Sequence, residues 1–213
     1  MHIFIFVIVC ISFAGSAFLA VFLKRNYTTA VALLCTVIAD IFLLLLNTNY
    51  PAGLLFFSMA QLLYAERIFR NRRYNDELKG NGSNGDIKNK STINALLLQV
   101  ILRLGTAAAV MITVSVAHGG FDWVLILASF YGVNFLYNLL FALKNSKSDI
   151  LLTVGLLLFA VCDIMVLTLN LPDYLDVSIN QTLVFTIMYI FYIPSQLLIG
   201  LSTAEKRART QLV

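Results

Sequence analysis

Two aspartates stand inside long apolar stretches of this chain, where a carboxyl group has little water around it. Asp40 is followed by Ile-Phe-Leu-Leu, and Asp163 is preceded by Ala-Val-Cys. An ionisable side chain in hydrocarbon costs at least about 2.5–3.5 kcal/mol on insertion scales, so it needs a partner, water or a function. If one carboxyl group keeps its proton and the other is ionised, the pair provides a general acid beside an anion. That combination suits acid-catalysed cleavage of an ether-type bond.

Arg103 is the third ionisable side chain inside an apolar stretch, and it falls near the middle of that stretch. We expect it to reach one of the two aspartates by snorkelling or pairing. One carboxylate would then stay ionised, while the other would hold its proton at neutral pH. The alternative is a structural ion network that fixes helix packing without chemistry. The residues by themselves leave both interpretations open.

Uncharged polar side chains reach similar depths in several of the apolar stretches. They are Gln61, Tyr64, Gln99, Tyr131, Asn134, Asn138, Tyr189, Tyr192 and Gln196. Each alone is more often a helix–helix contact than a ligand, but their number suggests a polar cavity. The chain has no phosphate-binding glycine loop, His-Glu-x-x-His motif or paired Cys motif, so we expect neither a metal nor a cofactor.

The composition indicates an integral membrane protein. Of 213 residues, 60% are hydrophobic and 12% are charged, whereas a soluble domain is about a quarter charged. Seven apolar blocks have spanning or near-spanning length: roughly 2–23, 28–46, 52–69, 93–117, 121–143, 149–170 and 180–203. The sequence therefore predicts an all-α transmembrane bundle of about seven helices in one domain, 1–213, with a flexible basic loop at about 70–92.

The basic residues predict the orientation of this bundle. With alternating helices, one face carries all of the chain's Lys and Arg except Arg103, and the other face carries none. The first face has Lys24, Arg25, Arg67, Arg70, Arg72, Arg73, Lys79, Lys88, Lys90, Lys144, Lys147, Lys206, Arg207 and Arg209. The positive-inside rule places that face in the cytoplasm, with the amino terminus outside. We expect a multi-pass protein of the cell membrane with no nucleic-acid partner, because topology accounts for the net charge of +4.

Several separated segments resemble one family of membrane proteins. Ala39 to Leu44 is similar to a Gly-Asp-x-x-Leu-Leu segment, and Gly53 to Tyr64 to the helix that follows it. Leu157 to Asp163 is similar to Leu-Phe-x-x-Ser-Asp, and Tyr192 to Ile199 to Tyr-x-x-x-Gln-x-Leu-Ile. With a partial match at Lys24, these segments resemble the YhhN family over most of the chain. Departures include Ala39 for a Gly and Gln61 for a His.

The characterised members of that family are lysoplasmalogenases, which hydrolyse the vinyl ether of a lysoplasmalogen to a fatty aldehyde and a glycerophospho-alcohol. The resemblance implies that Asp40 and Asp163 are catalytic and that the substrate is a lysophospholipid from the bilayer. The expected substrate-binding residues are Lys24, Gln61, Tyr64, Arg103, Tyr131, Asn134, Tyr192 and Gln196. One alternative is an inactive lipid-binding or structural protein of the same fold, which the loss of the His favours. A small-solute transporter is a weaker alternative, since the halves show no convincing repeat. The oligomeric state stays open.

Overall fold

The computed structural model describes residues 27–46, 49–79, 85–146, 149–170 and 180–210, and every regular element in these ranges is helical. The elements are α1 (Tyr27–Asp40), a π-helical segment (Ile41–Leu45), α2 (Tyr50–Lys79), α3 (Gly85–His118), α4 (Trp123–Lys144), α5 (Ile150–Asn170) and α6 (Gln181–Thr210). The predicted all-α class is therefore confirmed for the described part of the chain. The first predicted block, 2–23, and Lys24 lie outside the described residues.

Four of these helices are long and apolar enough to cross a membrane: Leu97–Ala117, Trp123–Lys144, Ile150–Thr168 and Gln181–Ser202. They coincide with the last four predicted blocks, which makes the chain compatible with a multi-pass membrane protein. Tyr27–Leu43 is a shorter apolar helix. The block predicted at 52–69 lies within α2. This helix contains polar residues and is not among the four helices that are long and apolar enough to cross a membrane. The count of seven spans, the orientation and the choice of membrane stay predictions.

The surfaces of these helices are apolar where they face outward. Ile101 and Ile112 on α3 and Leu167 on α5 are each more than 60% exposed, as side chains in contact with lipid tails are. At the start of α4 the exposed rings of Phe121 and Trp123 meet edge to face, with centroids 5.7 Å apart. Aromatic pairs at helix ends are typical of the membrane–water interface.

Polar caps set where three of the long helices begin. The carboxylate of Asp122 accepts a hydrogen bond from Val124 N at 2.8 Å before α4. Asp149 bonds to Leu152 N before α5, and the amide oxygen of Asn180 accepts from a backbone N–H at the start of α6. Each cap satisfies an N–H that the first helical turn leaves without an intrahelical partner.

The polar stretch predicted as a flexible loop is helical wherever the structure describes it. α2 continues through Lys79 and α3 begins at Gly85, which leaves residues 80–84 outside the described ranges. Helix propagation adds one hydrogen bond for each residue fixed, so a helix nucleated by an apolar segment can continue into a polar one. An exposed pair between Arg70 and Glu66, 3.3 Å apart at i,i+4 spacing, supports this continuation.

The chain forms two compact units, here called the central unit (residues 38–141) and the terminal unit (residues 1–37 and 142–213). In the central unit the π segment packs against α2. Gly53 allows this approach, because a Cβ there would lie 2.5 Å from Leu43 Cγ. Next to this contact, the ring of Phe42 in the π segment stacks on that of Phe56 in α2, with centroids 6.1 Å apart.

In the terminal unit α5 and α6 pack antiparallel along most of their length. Gly155 lies so close to α6 that a Cβ would be 3.0 Å from Ser195 O and 2.7 Å from Ile199 Cγ1. Further along, the rings of Phe159 and Tyr192 meet at 5.9 Å. Small residues at helix crossings of this kind are typical of packing within a bilayer.

Candidate active site

Asp40 occupies a special place in the backbone of the central unit. It is 3% exposed and forms the junction between α1 and the π segment. Beyond it, Leu46 N donates to Ile41 O at 2.9 Å, which is the five-residue hydrogen bond of a π turn. Such turns interrupt α-helices frequently at functional sites. The carboxyl group of Asp40 is thus buried at a point where the helix is locally widened.

Arg103 is held by two amides of the neighbouring helix rather than by a carboxylate. Its Nη1 donates to Asn138 Oδ1 at 3.0 Å and, at the limit of hydrogen-bond distance, to Asn134 Oδ1 at 3.5 Å. Asn134 also donates to the carbonyl of Phe130 on its own helix. No described carboxylate of the central unit lies within ion-pair distance of Arg103, so the structure does not show the alternative in which it pairs with Asp40. A pairing with Asp163 stays a prediction.

Three aromatic rings surround the guanidinium of Arg103. Its Cζ lies 5.5 Å from the centroid of Phe69 on α2, 5.4 Å from that of Tyr137 and 5.9 Å from that of Phe141. Each distance falls within the range of a cation–π interaction, worth about 0.5–2 kcal/mol depending on solvation. Tyr137 is itself fixed by a hydrogen bond between its hydroxyl and Thr106 Oγ1 at 3.1 Å. The rings partly replace the water that the cation has lost.

Asn138 connects Arg103 to Gln61. Its oxygen accepts from Arg103, while its Nδ2 donates to Gln61 Oε1 at 3.0 Å and to Gln61 O at 2.6 Å. Asn138 and Gln61 are both fully buried. A side-chain network therefore joins α2, α3 and α4 within the central unit, and Gln61, which departs from the family's His, stands at one end of it.

This network keeps several donors unused. Among the described residues, Gln61 Nε2 and Arg103 Nε and Nη2 have no hydrogen-bond partner, and neither does the hydroxyl of Ser58 on the same helix as Gln61. Arg103 is 6% exposed and Gln61 is 0% exposed. A buried donor without a partner costs about 1–3 kcal/mol, and more when it is charged. Most of the unpartnered atoms near Arg103 are therefore donors, and Gln99 Oε1, one turn before Arg103 on α3, is an unpartnered acceptor.

Two predicted tyrosines lie in the same unit. Tyr64 is 2% exposed and follows Gln61 by three residues, so both lie on one face of α2. Tyr131 packs its ring against Phe57 at 5.4 Å and stacks on Phe135 at 6.1 Å. α2 and α4 thus bring aromatic and polar side chains together along their shared interface.

Asp163 belongs to the terminal unit. It lies four residues after Phe159 on α5, one helical turn from the contact of Phe159 with Tyr192, and it is partly exposed. On α6, Gln196 is 1% exposed and its Nε2 donates to Ser195 Oγ at 3.3 Å. Gln196 Oε1 has no hydrogen-bond partner among the described residues. Tyr192 and Gln196 lie one turn apart, on the face of α6 that packs on α5.

The predicted site residues are therefore divided between the two units. Asp40, Gln61, Tyr64, Arg103, Tyr131 and Asn134 lie in the central unit, and Asp163, Tyr192 and Gln196 lie in the terminal unit. The structure brings Gln61, Arg103 and Asn134 together through a residue that was not predicted to bind substrate, Asn138. The pairing of Asp40 with Asp163 stays a prediction. In the described ranges no group of three or more His, Cys, Asp or Glu could hold a metal ion.

Two features of the central unit were missed by the sequence reasoning. Asn134, Asn138 and Phe141 follow an i, i+4, i+7 pattern, and that spacing would have predicted that they share one face of α4. Arg67, which entered the sequence analysis only as one of the basic residues of the predicted cytoplasmic face, is 2% exposed on α2. It stands six residues after Gln61, so a second guanidinium is buried further along the same helix.

In the described ranges the regular elements are helices, four of them long and apolar with polar side chains buried between them, which is compatible with a multi-pass membrane protein. The model of the YhhN family matches residues 2–203, essentially the whole sequence. The chain therefore belongs to the YhhN family, as the separated segments predicted. Neither the curated proteins nor the solved structures give a significant match to the chain.

Proposed function

We propose that this chain is an intramembrane hydrolase of the lysoplasmalogenase type, which cleaves the vinyl ether of a lysoplasmalogen. Membership of the YhhN family carries the proposal, because the matched residues 2–203 include both aspartates that the family resemblance assigns to catalysis. The burial of Asp40 at a π turn supports it, since an ordinary packing position needs neither a carboxyl group nor a widened helix.

In the proposed reaction one aspartic acid, Asp40 or Asp163, donates its proton to the β-carbon of the vinyl ether. The double bond becomes an oxocarbenium ion, which the other, ionised aspartate stabilises. That carboxylate then takes a proton from water as the water oxygen attacks the cationic carbon. In the collapse of the resulting hemiacetal, the protonated aspartate gives its proton to the departing glycerol oxygen and the ionised aspartate takes the hydroxyl proton. This step releases the fatty aldehyde and the glycerophospho-alcohol and restores both carboxyl groups to their starting states. One water is consumed for each ether cleaved, and no metal is needed.

The proposed substrate is a single-chain lipid that reaches the site from within the bilayer. Tyr64, Tyr192 and Gln196 would line the cavity and hold the glycerol backbone, while Lys24 would lie near the head group. The burial of Tyr64, Tyr192 and Gln196 supports these roles, since polar groups buried at bilayer depth are costly unless they serve packing or a ligand.

The proposal is tested by incubating purified protein in detergent with lysoplasmenylethanolamine and measuring the fatty aldehyde released. We expect Asp40→Asn and Asp163→Asn each to lower the rate by about 10²–10⁴-fold, the range of a lost general acid or base. The amide keeps the shape of the side chain but can neither donate the acidic proton nor carry the charge.

Asp122→Asn is the matched control for these variants. Asp122 caps α4 through its side-chain oxygen, and asparagine caps equally well, so this change should leave the rate and the fold intact. Size-exclusion profiles of all three variants establish that they remain folded. Wild-type rates in both site variants would refute the catalytic assignment.

A second candidate is a lipid-binding or structural protein that has kept the family fold without the activity. Gln61 favours it, because an amide cannot transfer a proton as the family's His can. Under the hydrolase proposal, wild-type protein releases aldehyde and Gln61→His maintains or raises the rate. Lysolipid binding without aldehyde from either form would establish the second candidate.

A further inference from the structure

We propose that Arg103 and Gln61 bind the phosphate group of a phospholipid, with the guanidinium as the principal ligand. Only the identification of that lipid as the substrate rests on the proposed function. The binding site itself follows from the charge of Arg103, the geometry of its donors and its position in the central unit.

The charge of Arg103 calls for an anion. Arg103 is 6% exposed, the bonded partners of its guanidinium are neutral amide oxygens, and no described carboxylate of the central unit pairs with it. The nearby rings attract the cation but do not neutralise it. A buried charge is stable only when it is paired and hydrogen-bonded, so an anion from outside the unit would complete this cluster.

Two of the unused donors, both on Arg103, have the geometry that a phosphate requires. Nη1 is occupied by the amides of α4, whereas Nε and Nη2 have no partner. Nε–H and Nη2–H form one edge of the planar guanidinium and point in parallel, so they can bind two oxygens of one phosphate. Gln61 Nε2 offers a third donor from the other end of the network through Asn138.

The length of the Arg103 side chain lets its guanidinium approach the level of the lipid head groups. Arg103 lies ten residues into the predicted apolar block 93–117, near its middle. A long guanidinium side chain extends from such a position toward the interface. Phospholipids supply phosphate there, and a single acyl chain would extend from it into the hydrocarbon.

The test uses a ligand that the proposed chemistry does not cleave. Acyl lysophosphatidylethanolamine, a monoacylglycerol of equal chain length and inorganic phosphate are each titrated into the purified full chain in neutral detergent, and binding is followed by native mass spectrometry and thermal stability. We expect the lysophospholipid to bind and to raise the Tm, and the monoacylglycerol to bind at least tenfold more weakly. Inorganic phosphate should compete with the lysophospholipid if the anion alone makes the contacts.

Two variants test the named atoms. Arg103→Lys keeps the charge but loses the pair of parallel N–H donors that allows bidentate binding. Gln61→Glu keeps the acceptor for Asn138 but replaces the amide donor with a negatively charged oxygen. Each should weaken lysophospholipid binding by about 10- to 100-fold. Arg70→Lys is the matched control, since Arg70 is half exposed and bonded to Glu66, and it should bind as the wild type does.

The outcomes separate this site from the proposed reaction. Wild-type affinity in both Arg103→Lys and Gln61→Glu, or equal binding of lipid with and without phosphate, would overturn the phosphate site even if aldehyde is released normally. Phosphate-dependent binding that requires Arg103 would support the site even if no aldehyde is formed. Displacement by inorganic phosphate at low concentration would assign the contacts to the anion rather than to the acyl chain.

Discussion

A methyl group added at Gly155 should separate α5 from α6. In the structure a Cβ at this position would lie 3.0 Å from Ser195 O, 3.1 Å from Ile199 N and 2.7 Å from Ile199 Cγ1. The side-chain atom can move aside, but the two backbone atoms belong to a rigid helix. Gly155→Ala therefore forces the helices apart, and overpacking of this kind costs about 1–3 kcal/mol.

A matched variant separates this cost from the general effect of replacing glycine in a helix. Gly105 lies in the interior of α3, and nothing stands within 4 Å of the position that a Cβ would take there. Both substitutions gain about 0.8–1.0 kcal/mol from the better helix propensity of alanine, so that term cancels in the comparison. Gly155→Ala should then be about 1–3 kcal/mol less stable than Gly105→Ala.

The assay is thermal unfolding of both variants in the same detergent, followed by the loss of helical circular dichroism. At about 2–4 °C for each kcal/mol in a chain of this size, the two Tm values should differ by several degrees. Coincident Tm values would refute the close packing at Gly155. A lower aldehyde yield of Gly155→Ala at a temperature where it stays folded would link that packing to Asp163, which is carried on α5.

Three further predictions concern the polar cluster, the interface and the orientation. Asn138→Leu leaves Gln61 Oε1 and one Arg103 N–H without a partner, at about 1–3 kcal/mol for each, so its Tm should fall; an unchanged Tm would contradict the network. Trp123 is the single tryptophan, and its emission should be quenched more by lipids brominated near the head group than by lipids brominated at the chain end. A carboxyl-terminal green fluorescent protein fusion should fluoresce and an alkaline phosphatase fusion should be inactive, whereas the reverse pattern would place the basic face outside.

The long apolar helices could be predicted from the sequence because bilayer thickness sets their length. The ends of the predicted blocks at 121–143 and 149–170 differ from those of α4 and α5 by at most two residues. The position of Arg103 in an apolar helix could also be predicted from the sequence. The side chains that contact Arg103 could not be predicted, because they depend on how α2, α3 and α4 are rotated about their axes. Hydropathy alone does not fix that rotation.

Other features depend on details that residue type does not encode. The π turn after Asp40 arises from one extra residue in a helical turn, and Ile-Phe-Leu-Leu-Leu would fit an α-helix equally well. The polar residues after Phe69 have the composition of a loop, but a neighbouring helix extends into them. Membership of the YhhN family, in contrast, was predictable because its segments keep their order along the chain.

The amides that hold Arg103 have a consequence for how the protein is made. α3 leaves the ribosome before α4, so its guanidinium meets the lipid while Asn134 and Asn138 are still inside the ribosome. A charge at such a position raises the free energy of insertion of a solitary helix, and the amides on the following segment lower it again. α3 and α4 should therefore be released from the translocon together, as a helical hairpin. Truncation of the chain after His118 should leave α3 poorly integrated into the membrane.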